Sequence, residues 1–177
     1  MKKKYSYKKR ITMSKGKVKF KKDDERYTPK FIVDIFGKFD YDPATTKEKA
    51  KEFDISSYDT IETNGLETDW TQFKRIWINP PFSIKHEFLK KGQETYDTVH
   101  NDIYIIFPIE FLITKKFNLI TKGCGTIYLP DKRIAYGSGC GGTVNSPAFG
   151  SVIFKFSDKP YNIERLNLGG DLKNENT

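Results

Sequence analysis

The order of elements legible in the chain predicts an α/β fold: a Rossmann-like three-layer sandwich with a mostly parallel sheet and an antiparallel strand or hairpin at one edge. Three observations carry this. Apolar strand-like runs alternate with helix-like segments through the first two-thirds of the 177 residues, the pattern of βαβ units. DIYIIFP (102–108) is nearly all apolar, as a strand covered on both faces must be. Near the end, strands follow one another without intervening helices, which calls for antiparallel pairing.

Each element has its own local reason. In YTPKFIVDIFGKF, Thr28 stands as N-cap and Pro29 as first helical residue. Phe31, Ile32, Ile35 and Phe36 then share one helical face, and Gly37 ends the helix. KFDYD (38–42) is a short strand stopped by Asp42-Pro43, and ATTKEKAKEF is a short surface helix. The segment 54–72 is polar and turn-rich, with Asn64-Gly65 as a turn. RIWIN (75–79) is a strand, and SIKHEFLKKGQETYDTV (83–99) an amphipathic helix with Ile84, Phe88 and Leu89 facing inward. EFLITKKFNLI (110–120) is expected as a further helix. GTIYLP (125–130), RIAYG (133–137) and AFGSVIFKF (148–156) are expected as strands. The chain after Pro160 is polar and is expected to fray, with its last eight residues disordered.

Composition bounds the function. Hydrophobic residues make up 37% and aromatics 15%, enough for one real core. No apolar run reaches the ~20 residues of a membrane span, so no membrane partner is expected. The N-terminus has no apolar signal region. Cys124 and Cys140 with His86 and His100 are too scattered for a metal site, so none is expected and both thiols are expected free, in a reducing cytoplasm. Residues 1–22 hold eleven of the 31 Lys and Arg and none of the 23 Asp and Glu, so this arm carries +11 and the remainder −3. Such a run repels itself and is expected to be disordered when free; with Tyr5, Tyr7 and Phe20 interleaved, it suits phosphates and bases. Residues 23–160 are then the globular domain and 161–177 a polar tail. The glycine-rich GSGCGG stretch from 137 lacks the Lys-Ser/Thr of a phosphate loop and is expected to be a flexible connection.

The sharpest signal is Asn79-Pro80-Pro81-Phe82, where a strand ends in an amide, two residues without N–H groups and an aromatic ring. An exocyclic amine on a nucleobase is a poor nucleophile, because its lone pair is delocalised. Two acceptors on its two N–H groups favour a pyramidal nitrogen and stabilise the positive charge that develops during attack. The Asn79 side-chain oxygen and the Pro80 carbonyl fit that task, Pro81 stiffens the loop, and Phe82 offers a stacking face to a flipped base.

In this order the chain resembles the phage-type DNA N6-adenine methyltransferases, within the amino-group methyltransferases that use S-adenosyl-L-methionine (AdoMet). The resemblance runs over residues 26–156: Tyr27-Thr28-Pro29, then Phe39-Asp40-Tyr41-Asp42-Pro43-Ala44, then Asn64-Gly65-Leu66 with Trp70, then Trp77-Ile78-Asn79-Pro80-Pro81-Phe82, with PDKRIAYG and AFGSVIFKF similar to the family's closing strands. It implies the methyltransferase version of the sandwich, AdoMet as cofactor, no metal, adenine-containing DNA as partner and methylation of the adenine amine. It implies a cofactor site from Tyr27, Thr28 and Pro29, whose helix start meets the cofactor carboxylate. Asp42 would hold the methionine amino group, Pro43 and Ala44 would shape the turn, and Asn64, Gly65 and Leu66 would lie near the cofactor adenine. Glu62 is a candidate for the ribose hydroxyls, with a solvated side chain as the competing reading. The chain departs from many methyltransferases in lacking F-x-G-x-G after the first strand, and its motif ends in Phe rather than Tyr. Expected alternatives are RNA or cytosine as the methyl acceptor, or a non-catalytic nucleic-acid binder. The oligomeric state stays open, a monomer included.

Overall fold

In the computed structural model, residues 26–137 and 148–169 are described. The basic arm, the glycine-rich stretch after Gly137 and the last eight residues lie outside them. The strands are β1 (Tyr41–Asp42), β2 (Ser57–Tyr58), β3 (Arg75–Ile78), β4 (Asp102–Pro108), β5 (Cys124–Pro130), β6 (Ser151–Pro160) and β7 (Asn162–Leu166). They form one seven-stranded sheet in the order β2-β1-β3-β4-β6-β5-β7. β1 pairs in parallel with β2 and β3, β3 with β4, and β5 with β7. β6 runs against both its neighbours.

Alternation of side chains along the strands makes two cores. Ile76, Ile78, Ile103, Ile105 and Phe107 point to one face. There they meet Phe88, Leu89 and Tyr96 of helix α3 (Lys85–Val99) and Phe117 of α4 (Lys115–Thr121). Trp77, Tyr104, Ile106 and Ile153 point to the other face. They are covered by Ile32 and Val33 of α1 (Lys30–Ile35), by Phe53 just past α2 (Lys47–Glu52), and by Ile134, Tyr136, Leu166 and Leu168. The three-layer α/β sandwich is thus as expected, with irregular segments completing one outer layer.

Several local expectations need correction. The reversed strand does not lie at the edge: Val152, Ile153 and Phe154 are apolar toward both faces and fully buried, so β6 is inserted between β4 and β5. The polar tail does not begin at 161. β7 pairs with β5 from Asn162 to Leu166, and the main-chain ladder holds it despite four exposed side chains. The polar segment 54–72 contains β2, a two-residue strand that no hydrophobic pattern marks. RIAYG is not a strand; Gly137 makes only an isolated bridge to Tyr27, while Ile134 and Tyr136 plug the core. The helix expected over 110–120 is broken, because the Thr114 hydroxyl accepts the Phe117 N–H and restarts the chain as α4 after a 3-10 turn at Ile109–Phe111. Helix α1 buries Ile32 and Val33, leaving Phe31 and Ile35 exposed.

One pair of hydrogen bonds fixes the frame around the strand ends. Both Asp40 carboxylate oxygens accept main-chain N–H groups, from Lys74 (3.0 Å) and Arg75 (2.9 Å). They pin the start of β3 beside β1.

Candidate active site

β1 and β3 are parallel neighbours, so the turns that follow them stand on the same rim of the sheet. This is where open α/β sheets bind ligands. Asp42 closes β1 and is 1% exposed. Its Oδ1 accepts the Ala44 N–H at 3.0 Å, which shapes the Asp-Pro-Ala turn. Burial pushes its carboxyl up to about 7, against the opposing pull of the Ala44 N–H and the Thr45 hydroxyl. Among the described residues no basic side chain contributes to that balance.

The Asn64–Leu66 turn lies directly on this one. A Cβ at Gly65 would stand 2.1 Å from the Pro43 carbonyl oxygen, so only glycine permits the approach. Asn64 takes a left-handed conformation (φ 56°) to enter the turn. The Trp70 indole N–H donates to the Gly65 carbonyl (2.8 Å), and Lys91 Nζ to that of Leu66 (2.6 Å). Two motif pieces about twenty residues apart are thus held in contact.

Asn79 follows β3. Its Nδ2 donates to the Arg26 carbonyl. A carbonyl only accepts, so this bond decides which end of the amide is nitrogen. The other end, Oδ1, is buried with no hydrogen-bond partner among the described residues. Pro80 is buried, Pro81 half-buried, and the Phe82 carbonyl accepts from Lys85 Nζ at 2.8 Å. The half-buried Phe82 ring meets Tyr136 and Phe149 edge-on, with centroids 6.1 and 5.7 Å away. The Arg26 guanidinium lies over the Phe149 ring at 5.3 Å.

The Tyr27–Pro29 segment runs beside this loop. Tyr27 exchanges main-chain hydrogen bonds with Gly137, and its ring lies beneath Lys49 Nζ at 5.7 Å. Thr28 does not cap α1; Pro29 occupies the N-cap position. The Tyr27 bridge keeps the chain extended through Thr28, whose hydroxyl is buried without a partner among the described residues. All four sequence pieces therefore converge on one rim.

Three contributors carry no clear mark in the sequence. Phe149 reads as part of a strand, but that strand starts only at Ser151. Arg26 enters through its main chain, which no side-chain pattern can signal. Asp59 follows β2 directly, and its Oδ2 accepts from the Tyr41 and Thr68 hydroxyls. Burial pushes its carboxyl up, but hydroxyls of Tyr41, Thr68 and Thr63 outweigh that and hold it below the usual carboxylate range. Glu62, by contrast, is exposed and turned onto the Thr60 hydroxyl, as the solvated reading has it. Among the described residues no three His, Cys, Asp or Glu side chains cluster as a metal site requires, and no helix is long and apolar enough to cross a membrane.

A Rossmann-like sheet with an acidic turn closing one interior strand and an Asn-Pro-Pro-Phe turn closing its neighbour is the class that this fold and rim define. The family profile described as DNA N-6-adenine-methyltransferase (Dam) matches residues 15–174. The chain belongs to that family, as the four-part motif order led us to expect. It is 29% identical over 139 residues to a protein of Escherichia phage T1 named DNA N-6-adenine-methyltransferase. The match takes in 70% of this chain and spans 57% of the length of that relative. A solved structure from Listeria monocytogenes, described as a class I S-adenosylmethionine-dependent methyltransferase, aligns with 84% of this chain and 67% of its own. That alignment has a TM-score of 0.47 and 13% identity, a distant likeness.

Proposed function

We propose that this chain transfers a methyl group from AdoMet to the exocyclic amine of adenine in DNA. The observation that carries the reading is the Asn79 amide. Its nitrogen is committed to the Arg26 carbonyl, while its oxygen is buried and unpaired among the described residues. An unpaired buried acceptor is costly, and it is retained where a ligand donor completes it.

The other rim residues fit the cofactor. A buried carboxylate with no basic partner among the described residues, Asp42, suits the ammonium of a methionine moiety. The Thr28 hydroxyl faces the same need for a partner as Asn79. Asn64–Leu66, packed on Pro43, forms a wall for a flat ring, and Asp59 rather than Glu62 stands at the second strand end, where ribose hydroxyls are met in such sheets. AdoMet, when bound, supplies a methyl group on a positively charged sulfur.

The chain supplies the rest. Asn79 Oδ1 and the Pro80 carbonyl accept the two amine hydrogens, so charge growing on the nitrogen meets two fixed acceptors. The tertiary amide of Pro81 leaves that turn few alternatives. Phe82, braced by Tyr136 and Phe149, stacks on the base. The test is labelled AdoMet with unmethylated DNA, followed by nucleoside analysis. Wild type should yield N6-methyladenine, and Asn79→Ala should lose on the order of 10²–10³ in kcat. Undiminished transfer by Asn79→Ala rules this site out, and label in cytosine or only in RNA moves the substrate.

A further inference from the structure

The turn between β4 and α4 has a feature that core packing does not explain. Ile113 is 89% exposed, more than any other large hydrophobic among the described residues, and Ile109 in the same turn is 39% exposed. The turn is nonetheless closed by its own hydrogen bonds. The Leu112 N–H donates to the Ile109 carbonyl (3.1 Å), and both the N–H and the hydroxyl of Thr114 donate to that of Phe111 (3.1 and 2.8 Å). A β-branched side chain, stiff at χ1, is thus held clear of the surface on a closed knob.

The knob stands beside the Phe82 loop. Lys85 Nζ binds the Phe82 carbonyl and lies 5.0 Å above the Phe111 ring, two residues before Ile113. On the other side, the Ile109 N–H donates to the Gly150 carbonyl at 2.9 Å, next to Phe149, whose ring meets Phe82. Cations flank it. Lys115 and Lys116 follow directly and are exposed, and Arg133 lines a groove with Ile109 and Gly150. Among the described residues none of these three has an acidic side chain within ion-pair distance. The acidic groups nearby are Glu110, exposed on the knob, and Asp131, which accepts the Leu168 N–H.

We infer that this knob is a DNA wedge: Ile113 enters the base stack where the target nucleotide leaves it, and Lys115, Lys116 and Arg133 hold the flanking phosphates. The inference rests on the reading of the site as a DNA adenine methyltransferase. An enzyme that acts on a base inside a duplex must extrude it, and apolar side chains inserted between steps are a general means of doing so. Two isoleucines are too small an apolar area for a stable protein interface, while unpaired cations around them match a polyanion.

The test compares Ile113→Ala with wild type on unmethylated genomic DNA, as duplex and as heat-denatured single strands, with AdoMet titrated by calorimetry alongside. The residue is exposed, so the variant should melt with wild type. A wedge predicts that the ratio of duplex to single-strand methylation falls about tenfold, since only the duplex must be opened. Lys115→Ala/Lys116→Ala should reduce the salt slope of duplex binding by about two. An unchanged ratio overturns the wedge while leaving the methyltransferase reading intact. Absence of AdoMet binding and of methylation by wild type overturns both. Self-association that Ile113→Ala abolishes, with duplex methylation unchanged, assigns the knob to a second copy instead and overturns the proposal.

Discussion

Two aspartates in FDYD, with a single tyrosine between them, show how much environment decides at the scale of a residue. Asp40 spends both carboxylate oxygens on main-chain N–H groups of the next strand. Asp42 is buried with one main-chain bond and no cation among the described residues. A carboxyl raised from 3.8 to about 7 makes the folded state hold a proton that the unfolded chain releases. Stability therefore declines as pH rises through that window and is lowest above it. Asp42→Asn removes the penalty while its amide oxygen can still accept the Ala44 N–H. It should stabilise the protein by ~0.5–2 kcal/mol at pH 8 and by little at pH 4, read by thermal or urea denaturation. Wild-type AdoMet affinity should rise as pH increases through about 7, where the carboxylate forms, and the variant should bind weakly at every pH. A variant that binds AdoMet as wild type does would remove Asp42 from the cofactor site.

At the scale of elements, the rim depends on short pieces tied to one another. β1 and β2 are two residues each, too little ladder to hold themselves. The Asp59 N–H donates to the Asp42 carbonyl and the Thr45 N–H to the Asp59 carbonyl, so the turns after both strands lock together. Asp40 is the matching tie at the other end. Asp40→Ala should cost ~1–3 kcal/mol, because two N–H groups lose a charged acceptor. It should also weaken AdoMet binding without touching the site, since β1 and β3 carry Asp42 and Asn79. Equilibrium unfolding paired with calorimetry checks this; loss of stability with unchanged affinity would separate the tie from the site.

At the scale of the whole molecule, charge is divided between a +11 arm of 22 residues and a remainder of −3. A domain with that balance has little long-range attraction for DNA outside its local cations. Removing residues 1–22 should weaken duplex binding and flatten its dependence on salt, the slope falling by about 0.9 for every phosphate that the arm neutralises. Methylation of a short duplex at low salt should persist. Titrations at several salt concentrations read the slope, and an unchanged slope would show that the arm does not engage phosphates.

Much of the fold and the rim is legible in the chain itself. Asn79-Pro80-Pro81-Phe82 and Asp42-Pro43-Ala44 are local chemistry: a strand followed by residues that cannot continue it, so the positions of the turns and their placement on one rim follow from chain order alone. The alternation of strands and helices determined the α/β layering for the same reason, since each amphipathic face has one kind of partner. What only the tertiary structure decided depends on pairing between distant segments. Main-chain pairing holds β2 and β7, which carry no hydrophobic signature, and burial on both faces draws β6 inward. The Arg26 carbonyl, 53 residues from Asn79 in sequence, turns the amide so that its oxygen is left without a hydrogen-bond partner among the described residues. A main-chain acceptor carries no residue identity, so no reading of side-chain types could have found it.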